Sequence, residues 1–308
     1  MVYVYGGTMR FQFLTKNKMK ILSLFDWMAC WYEALVRAWI KIDKYYASEI
    51  DKYAIQIALK NHPDIIEIWD VKNVRGGEYL GIDLLIWGSP CQWFSAAWKK
   101  LNFDDPRSKL FFEYVRILKE CQPRYFLLEN VIMKKEWQDI ISSALWVHPI
   151  EINSSLVSAQ NRKRLYRTNI PCFSLPKDRG IRLKDILDHE ESDLISYVDG
   201  ELRIKQATEK WYLVAEEWDG IDLSYPTSKT RRGRVIKWKS NTLTANWELY
   251  VCDKIIRKLT VKERERLQTL REWYTEWVSE NQRCKMIWNW WTVDIIAHIF
   301  SFMESNSH

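Results

Sequence analysis

Glycine is scarce in this sequence, with 10 residues in 308, whereas an average composition of about 7% glycine would give roughly 22. Long apolar runs are also missing: none approaches the roughly 18 residues of a membrane span, and the N-terminus lacks the charged-then-apolar pattern of a signal peptide. We therefore expect an intracellular, cytoplasmic protein with no membrane partner. Tryptophan, by contrast, is abundant, with 18 residues.

Paired cysteine spacing is another absence. The six cysteines are scattered, so the sequence suggests neither a disulfide framework nor a zinc site, and we expect no metal. Hydrophobic residues make up 47% of the chain, enough for a large core. The net charge of +6 is modest, but positive charge is concentrated at 162–167 and 229–234, which predicts a phosphate-bearing partner. The mixed-sign run 257–266 predicts a solvated face.

One cysteine stands in a context typical of a nucleophile. The apolar run 82–86 predicts a buried strand, and the turn Gly88-Ser89-Pro90 that follows would project Cys91 over the sheet edge, where open α/β sheets bind ligands. Considered alone, Cys91 is more often a packed thiol, because free cysteine is among the most buried residue types. The choice depends on the rest of the chain.

Three further segments favour the nucleophile. Phe25-Asp26 ends the first predicted strand, Glu129-Asn130-Val131 follows another, and 160–164 reads Gln-Asn-Arg-Lys-Arg. Pro-Cys-Gln, then Glu-Asn-Val, then Gln-x-Arg-x-Arg, in this order, resembles the cytosine carbon-5 DNA methyltransferases from about Met19 to Phe302. An ordered set of this kind is far more specific than any one of its parts.

The resemblance implies an α/β fold, with a Rossmann-like class I methyltransferase sheet and a smaller target-recognition domain inserted before the C-terminal return segment. The implied divisions are a catalytic domain at 19–167, a target-recognition region at 168–275 and a closing segment at 276–308. Residues 1–18 are expected to be an extension upstream of this domain. Within the recognition region, the segment 240–245 is expected to support that domain and to touch phosphate.

Hydrophobic patterning predicts the elements of the catalytic domain. The predicted strands are 21–25, 44–48, 65–68, 82–86, 125–128 and 150–152, and the segment 160–164 is expected to follow a strand. The predicted helices are 32–38, 53–59, 110–120, 138–145 and 261–269. The polar segment 96–104 suits a mobile loop that closes over DNA, although an ordinary surface loop would have the same composition.

The resemblance assigns the chemistry to four residues. Cys91 would add to carbon 6 of cytosine, which makes carbon 5 nucleophilic. Glu129 would stabilise the ring near N3, and Arg164 with Arg162 near O2. The alternative for Glu129 is a strand-end acid paired with an arginine.

The implied methyl donor is S-adenosylmethionine. Glu49 would grip the ribose hydroxyls, and Asp70 would accept from the adenine amino group. A helix-start acid and a turn aspartate are the respective alternatives. The full set of implied cofactor residues is Phe25, Asp26, Trp27, Cys30, Trp31, Glu49, Ile50, Asp70, Val71, Pro90, Leu110, Asn289 and Val293.

Double-stranded DNA is the implied substrate, and the target base must be flipped out of the duplex. The implied DNA-binding residues are Gln92, Ser95, Arg231, Arg232, Arg234 and Thr244, although the arginine run could equally be a solubilising loop. The implied setting is restriction-modification or viral self-marking, with a cognate restriction endonuclease as a candidate partner. Two other functions stay open: a tRNA cytosine carbon-5 methyltransferase, and a catalytically inactive DNA-binding or regulatory homologue.

Many tryptophans occupy positions where the resembled family has glycine. One codon explains a change of this single kind, because UGA is read as stop, tryptophan or glycine in different genetic codes. We therefore expect most of these positions to be glycine in the protein that the organism makes. A decayed gene is the rival explanation, and Arg271, where the family usually has proline, favours it. The expected positions are Trp27, Trp31, Trp39, Trp69, Trp87, Trp146, Trp273 and Trp288, and less firmly Trp93, Trp98, Trp238, Trp247, Trp277 and Trp290.

Overall fold

The computed structural model describes residues 18–88, 106–172, 174–188, 202–205, 212–222, 234–242, 249–253 and 255–303. Its centre is a seven-stranded sheet in the order β3-β2-β1-β4-β5-β7-β6. The strands are β1 (Met19–Leu24), β2 (Ile42–Ser48), β3 (Ile66–Glu67), β4 (Leu84–Gly88), β5 (Tyr125–Asn130), β6 (Ile150–Asn153) and β7 (Lys163–Thr168). Strands β1 to β5 pair in parallel, and β7 is antiparallel to both β5 and β6.

Helices alternate with the parallel strands, as expected for a buried sheet. They are α1 (Cys30–Arg37), α2 (Lys52–Asn61), α3 (Pro106–Cys121) and α4 (Lys135–Leu145), followed near the C-terminus by α5 (Val261–Leu267), α6 (Glu280–Trp288) and α7 (Val293–Phe300). Helix α2 begins at an Asp51 cap, whose side chain accepts from the amides of Tyr53 and Ala54. None of the helices in the described part of the chain is long and apolar enough to cross a membrane.

The two faces of the sheet bury different hydrophobic clusters, because successive strand residues point to opposite sides. Ile21, Leu84 and Leu127 belong to a cluster with α1 and α7. Leu22, Leu85 and Leu128 belong to a cluster with α3 and α4. The part of the chain built on the seven-stranded sheet is therefore a three-layer α/β structure, which confirms the predicted fold class.

Between β7 and α5 the chain forms small antiparallel sheets. Strands β8 (Leu202–Lys205) and β9 (Tyr212–Ala215) form one; β10 (Gly220–Asp222), β11 (Arg234–Ile236), β12 (Leu249–Asp253) and β13 (Ile255–Lys258) form the other, in the order β11-β10-β12-β13. Ser240 joins this region to the segment between β6 and β7. Its amide donates to the Ala159 carbonyl over 2.7 Å, and its carbonyl accepts from the Asn161 amide over 2.9 Å.

Two expectations about charge are wrong. The cluster 162–167 does not form an exposed phosphate-binding segment: Arg162, Arg164 and Arg167 are all buried, and the last two lie within β7 instead of after a strand. The run 257–266 is not a solvated face either, because Glu263 and Glu265 are fully buried. In both segments the buried charged side chains bind partners inside the protein, several of them distant in the sequence.

Candidate active site

The ends of four neighbouring strands bring the predicted site residues to one edge of the sheet. Asp26 follows β1, Glu49 follows β2, and β4 ends at Gly88, which pairs with Glu129 of β5 in the strand register. The Asp26 amide donates to the Ser48 carbonyl over 3.1 Å, which ties the β1 and β2 ends together. Carboxyl ends of parallel strands form the ligand crevice of such sheets.

Glu129 and Arg164 form a buried ion pair. Arg164 Nε lies 3.0 Å from Glu129 Oε1, and the two residues are 8% and 2% exposed. Burial raises the pKa of the Glu129 carboxyl, and the positive charges of Arg164 and Arg162 oppose that shift. Arg164 Nη1 also donates to the Lys163 carbonyl over 2.8 Å. The pair therefore offers a carboxyl able to hold a proton beside a fixed guanidinium.

Arg162 holds the C-terminal segment. Its Nη2 donates to the Trp290 carbonyl over 2.6 Å, and the side-chain amide of Gln268 donates to the same carbonyl over 3.1 Å. Gln268 Oε1 in turn accepts from Thr292. The structure thus links Arg162 to the segment between α6 and α7, a connection that no local sequence pattern indicates.

The end of β1 carries a buried carboxyl. Asp26 is fully buried, and its Oδ1 accepts from the Tyr45 hydroxyl over 2.5 Å. Burial raises the pKa of Asp26 from 3.8 to about 7, although the Tyr45 hydrogen bond lowers it. Burial likewise raises the pKa of Glu67 to about 8, with Asp26 and Glu49 adding to the shift. Strand ends with such carboxyls suit polar ligand groups.

Glu49 binds the backbone of the predicted cofactor turn. Its Oε2 accepts from the Trp27 amide over 2.9 Å, and its Oε1 accepts from the amides of Ile50 and Asp51 over 2.7 and 2.9 Å. Burial raises the pKa of Glu49, against these three backbone hydrogen bonds. Ile50 itself is 71% exposed. The Glu49 carboxylate therefore holds the turn in place through its hydrogen bonds to backbone amides.

Asp70 caps a short 3₁₀ helix after β3. Its Oδ1 accepts from the Lys72 amide over 3.0 Å. The next residue, Val71, is buried in the same cluster as Leu110, on the α3 face of the sheet. The resemblance assigns Asp70 to the adenine amino group and Val71 to the cofactor site, and these roles stay predictions.

The indole of Trp87 lies on the α3 face of the sheet, among residues predicted to contact the cofactor. Its ring stacks on Phe25 and on Phe111, each with a centroid distance of 5.7 Å, and lies 4.9 Å from the Tyr114 ring. Trp87 is 2% exposed and belongs to the cluster of Val71 and Leu110. The side chains predicted to contact the cofactor are therefore packed against an indole.

A second indole group lies on the α1 face. Trp31, in the first turn of α1, is fully buried, with its ring centroid 4.1 Å from that of Trp291 and 5.9 Å from that of Trp290. Cys30 and Val293 are buried in the same cluster. Asn289 ends α6. The acidic strand ends fit S-adenosylmethionine, but the buried indoles of Trp31 and Trp87, which lie on opposite faces of the sheet next to this turn, do not fit a cofactor that needs close approach to the backbone.

Several predicted residues lie outside the described part of the chain. These are Pro90, Cys91, Gln92, Ser95, Arg231, Arg232 and Thr244, together with Trp93, Trp98 and Trp247. Arg234 is described: it lies in β11 and forms an ion pair with the buried Asp222 of β10. Its charge is therefore engaged within the small sheet, and a DNA contact there stays a prediction.

Sequence reasoning missed the polar residues that hold the site from a distance. Tyr45 binds Asp26, Gln268 and Arg162 share one carbonyl, and Arg167 Nη1 donates to Asn130 Oδ1 over 3.1 Å. The alternation of side chains along β7 could have identified Arg167 as pointing into the protein interior, but its charge argued against burial. The other partners are set by tertiary contact alone.

Solved structures share this architecture. A DNA modification methyltransferase encoded within an Escherichia coli prophage superimposes with a TM-score of 0.65 at 19% identity, covering 92% of this chain and 98% of that one. A methyltransferase of Entamoeba histolytica gives a TM-score of 0.66 at 16% identity, covering 93% and 98%. This chain thus shares the Rossmann-like fold of these methyltransferases.

Sequence comparison narrows the class. The family model of C-5 cytosine-specific DNA methylases matches residues 19–141. The type II methyltransferase M1.ScrFI of Lactococcus lactis subsp. cremoris is 30% identical over 285 residues, covering 81% of this chain and 69% of the relative. The chain belongs to the C-5 cytosine-specific DNA methylase family. The orphan methyltransferase of Bacillus phage rho11s is 32% identical over 211 residues, and the match spans 41% of its length and 63% of this chain.

Proposed function

We propose that this protein transfers a methyl group from S-adenosylmethionine to carbon 5 of a flipped-out cytosine in DNA, through a covalent adduct of Cys91. The observation that carries the proposal is the buried Glu129–Arg164 pair, 3.0 Å apart, opposite the strand end that leads into the Cys91 segment. Two residues separate Gly88 from Cys91 in the sequence, so Cys91 follows closely on the strand end that pairs with Glu129.

The roles follow from the chemistry of the cytosine ring. The Cys91 thiolate forms a bond to carbon 6, and the displaced electron pair moves toward carbon 5 and N3. A Glu129 carboxyl with a raised pKa is suited to supply a proton at N3, and Arg164 keeps that carboxyl in place and stabilises charge near O2. After carbon 5 is methylated, loss of its proton breaks the sulfur–carbon bond and returns the thiolate.

DNA would have to present the base outside the duplex, at a cost of a few kcal/mol that protein contacts offset. The small sheets between β7 and α5 are the candidate recognition elements, because they are joined to the catalytic half at Ser240. A type II relative supports a restriction-modification setting, with a cognate endonuclease as the partner.

The test is methyl transfer to plasmid DNA, read by bisulfite sequencing in cells that express the gene. Cys91→Ser should abolish transfer while DNA binding persists, because serine is a much weaker nucleophile of nearly the same volume. DNA containing 5-fluorocytosine should trap the enzyme covalently, since the fluorine blocks the final elimination. Full activity of the serine variant, or an active enzyme without a trapped adduct, would refute the mechanism.

A second function is supported by one observation. The buried indoles of Trp31 and Trp87 take up space next to the predicted donor turn, as a catalytically inactive DNA-binding homologue would permit. That alternative predicts DNA binding with a salt-dependent affinity but no methylated cytosine in the plasmid assay, even at high enzyme concentration.

A further inference from the structure

The left-handed region of backbone conformation is occupied mostly by tryptophan. Seven of the eleven non-glycine residues with positive φ in the described part of the chain are tryptophans, with φ between 56° and 70°. Tryptophan supplies only 18 of the 308 residues, so chance would not concentrate it there. The seven are Trp27, Trp39, Trp69, Trp146, Trp218, Trp238 and Trp273.

This conformation suits glycine and strains other residues. A Cβ atom crowds the neighbouring carbonyl at positive φ, and among L-residues mainly asparagine and aspartate tolerate it. Bulky side chains there are outliers that something must hold in place. Trp39, Trp69 and Trp146 are 83%, 62% and 91% exposed, so burial of their indoles offsets little of the strain.

The positions themselves are those where chains place glycine. Trp146 is the left-handed residue directly after α4, and Trp39 follows the end of α1. Trp218 lies in the turn between β9 and β10, at φ 70°. The resemblance to the methyltransferase family does not single out Trp218, so the backbone identifies it independently.

Buried tryptophans near the site give a second observation. The indole N–H groups of Trp31, Trp87 and Trp290 have no hydrogen-bond acceptor among the described residues, although each side chain is at most 2% exposed. A buried tryptophan N–H normally finds a partner, and an unpaired one carries a desolvation cost. Trp291 shares this feature but rests on Gly88, where any Cβ would lie 1.6 Å from its ring. Glycine at 88 is therefore matched to an indole at 291.

We infer that the working protein carries glycine at the seven positive-φ tryptophan positions and at the three buried positions 31, 87 and 290. Trp137 and Trp291 stay tryptophan, since the first has ordinary helical backbone and the second covers Gly88. A UGA codon read as glycine in the organism and as tryptophan in the written sequence produces this single kind of change.

The consequence for the site rests on the proposed function. Without the indoles of Trp31 and Trp87, space opens on both sides of the turn that Asp26 and Glu49 define, beside Phe25, Val71 and Leu110. The misfit between these residues and S-adenosylmethionine is then a property of the written sequence and not of the working enzyme.

The deciding experiment is peptide mass spectrometry of the protein isolated from its own cells, together with the nucleotide sequence of the gene. We expect glycine masses and UGA codons at the ten positions, and tryptophan masses with UGG codons at Trp137 and Trp291. Tryptophan masses or UGG codons at Trp27, Trp31, Trp87 and Trp146 would overturn the inference.

A recombinant protein with glycine at all ten positions separates this inference from the proposed function. Its thermal midpoint should exceed that of the sequence as written by several degrees, and calorimetric titration should detect S-adenosylmethionine binding only to the glycine form. A lower midpoint would count against glycine at these positions. A higher midpoint without methyl transfer would leave the glycine inference intact and refute the enzymatic function.

Discussion

Trp146→Gly should stabilise the protein although it removes the largest side chain. Trp146 directly follows α4 at φ 57° and ψ 28°, and its side chain is 91% exposed. Left-handed backbone costs an L-residue about 1 to 2 kcal/mol. Glycine removes that cost but adds about 0.4 to 1 kcal/mol of chain entropy to the unfolded state. Because almost no buried area is lost, we expect a net gain of about 1 kcal/mol in the free energy of unfolding.

Two variants isolate the cause. Trp146→Ala removes the same indole but keeps a Cβ, so its stability should stay near that of the parent. Trp137→Gly introduces glycine into the first turn of the same helix, where helix propensity predicts a loss of roughly 0.5 kcal/mol or more. Urea unfolding followed by circular dichroism measures all three from the midpoint at constant slope. Equal midpoints for the alanine and glycine variants at 146 would refute the backbone argument.

Three further predictions concern charge. Glu129→Gln should reduce methyl transfer by about 10² to 10⁴ and lower stability by about 3 to 5 kcal/mol, since it leaves the buried Arg164 without its partner; tritiated methyl transfer and urea unfolding measure the two effects. With its folded pKa raised to about 7, Asp26 contributes stability that is fully present below pH 3.8 and is lost as the pH rises through about 7. Asp26→Asn should therefore flatten the decline in urea midpoint between pH 3.8 and about pH 7, and an unchanged decline would contradict the assignment. Neutralising Arg231 and Arg232 should weaken DNA binding and reduce its salt slope by about one unit per lost phosphate contact, whereas an unchanged slope would identify a merely solvated loop.

Local pattern was sufficient for the parallel half of the sheet. Strands β1 and β5 contain short apolar runs, β2 is more polar, and each of the three predicted strands overlaps the observed one to within a few residues. Helix α3 is longer than expected and begins at Pro106, a residue suited to the first helical position. Continuous apolar runs locate such strands, because burial on both faces of the sheet selects apolar side chains at successive positions.

The antiparallel strand β7 could not be found in this way. Four of the six residues in its sequence Lys-Arg-Leu-Tyr-Arg-Thr are polar or charged, yet all but the first are buried. Arg164 is neutralised by Glu129, and Arg167 is held by Asn130 on the neighbouring strand. These partners come from the neighbouring strand and, for Arg167, also from helix α4, so the chain segment alone indicates a surface where the fold has an interior.

The solvated face expected at 257–266 is wrong for the same reason, although the helix predicted there is present as α5. Glu265 is fully buried because its carboxylate accepts from the amides of Trp273 and Thr275, each over 2.9 Å. Arg283, from α6, lies 3.3 Å from the same carboxylate. A run of alternating charges is usually solvated, but here it organises a loop, and the partners lie 8 to 18 residues further along the chain.

The turn after β1 shows what substitution with glycine can and cannot relieve. Phe25 and Ala29 have positive φ as well as Trp27, so the left-handed backbone belongs to the turn itself. Its path is set by the Asp26 amide on Ser48 and by the Glu49 carboxylate on the Trp27 amide, and neither contact involves an indole. Glycine at 27 would therefore keep the same path and remove one strained residue of three. The remaining strain at Phe25 and Ala29 is of the kind that functional sites maintain, because neighbouring strand ends hold the backbone there.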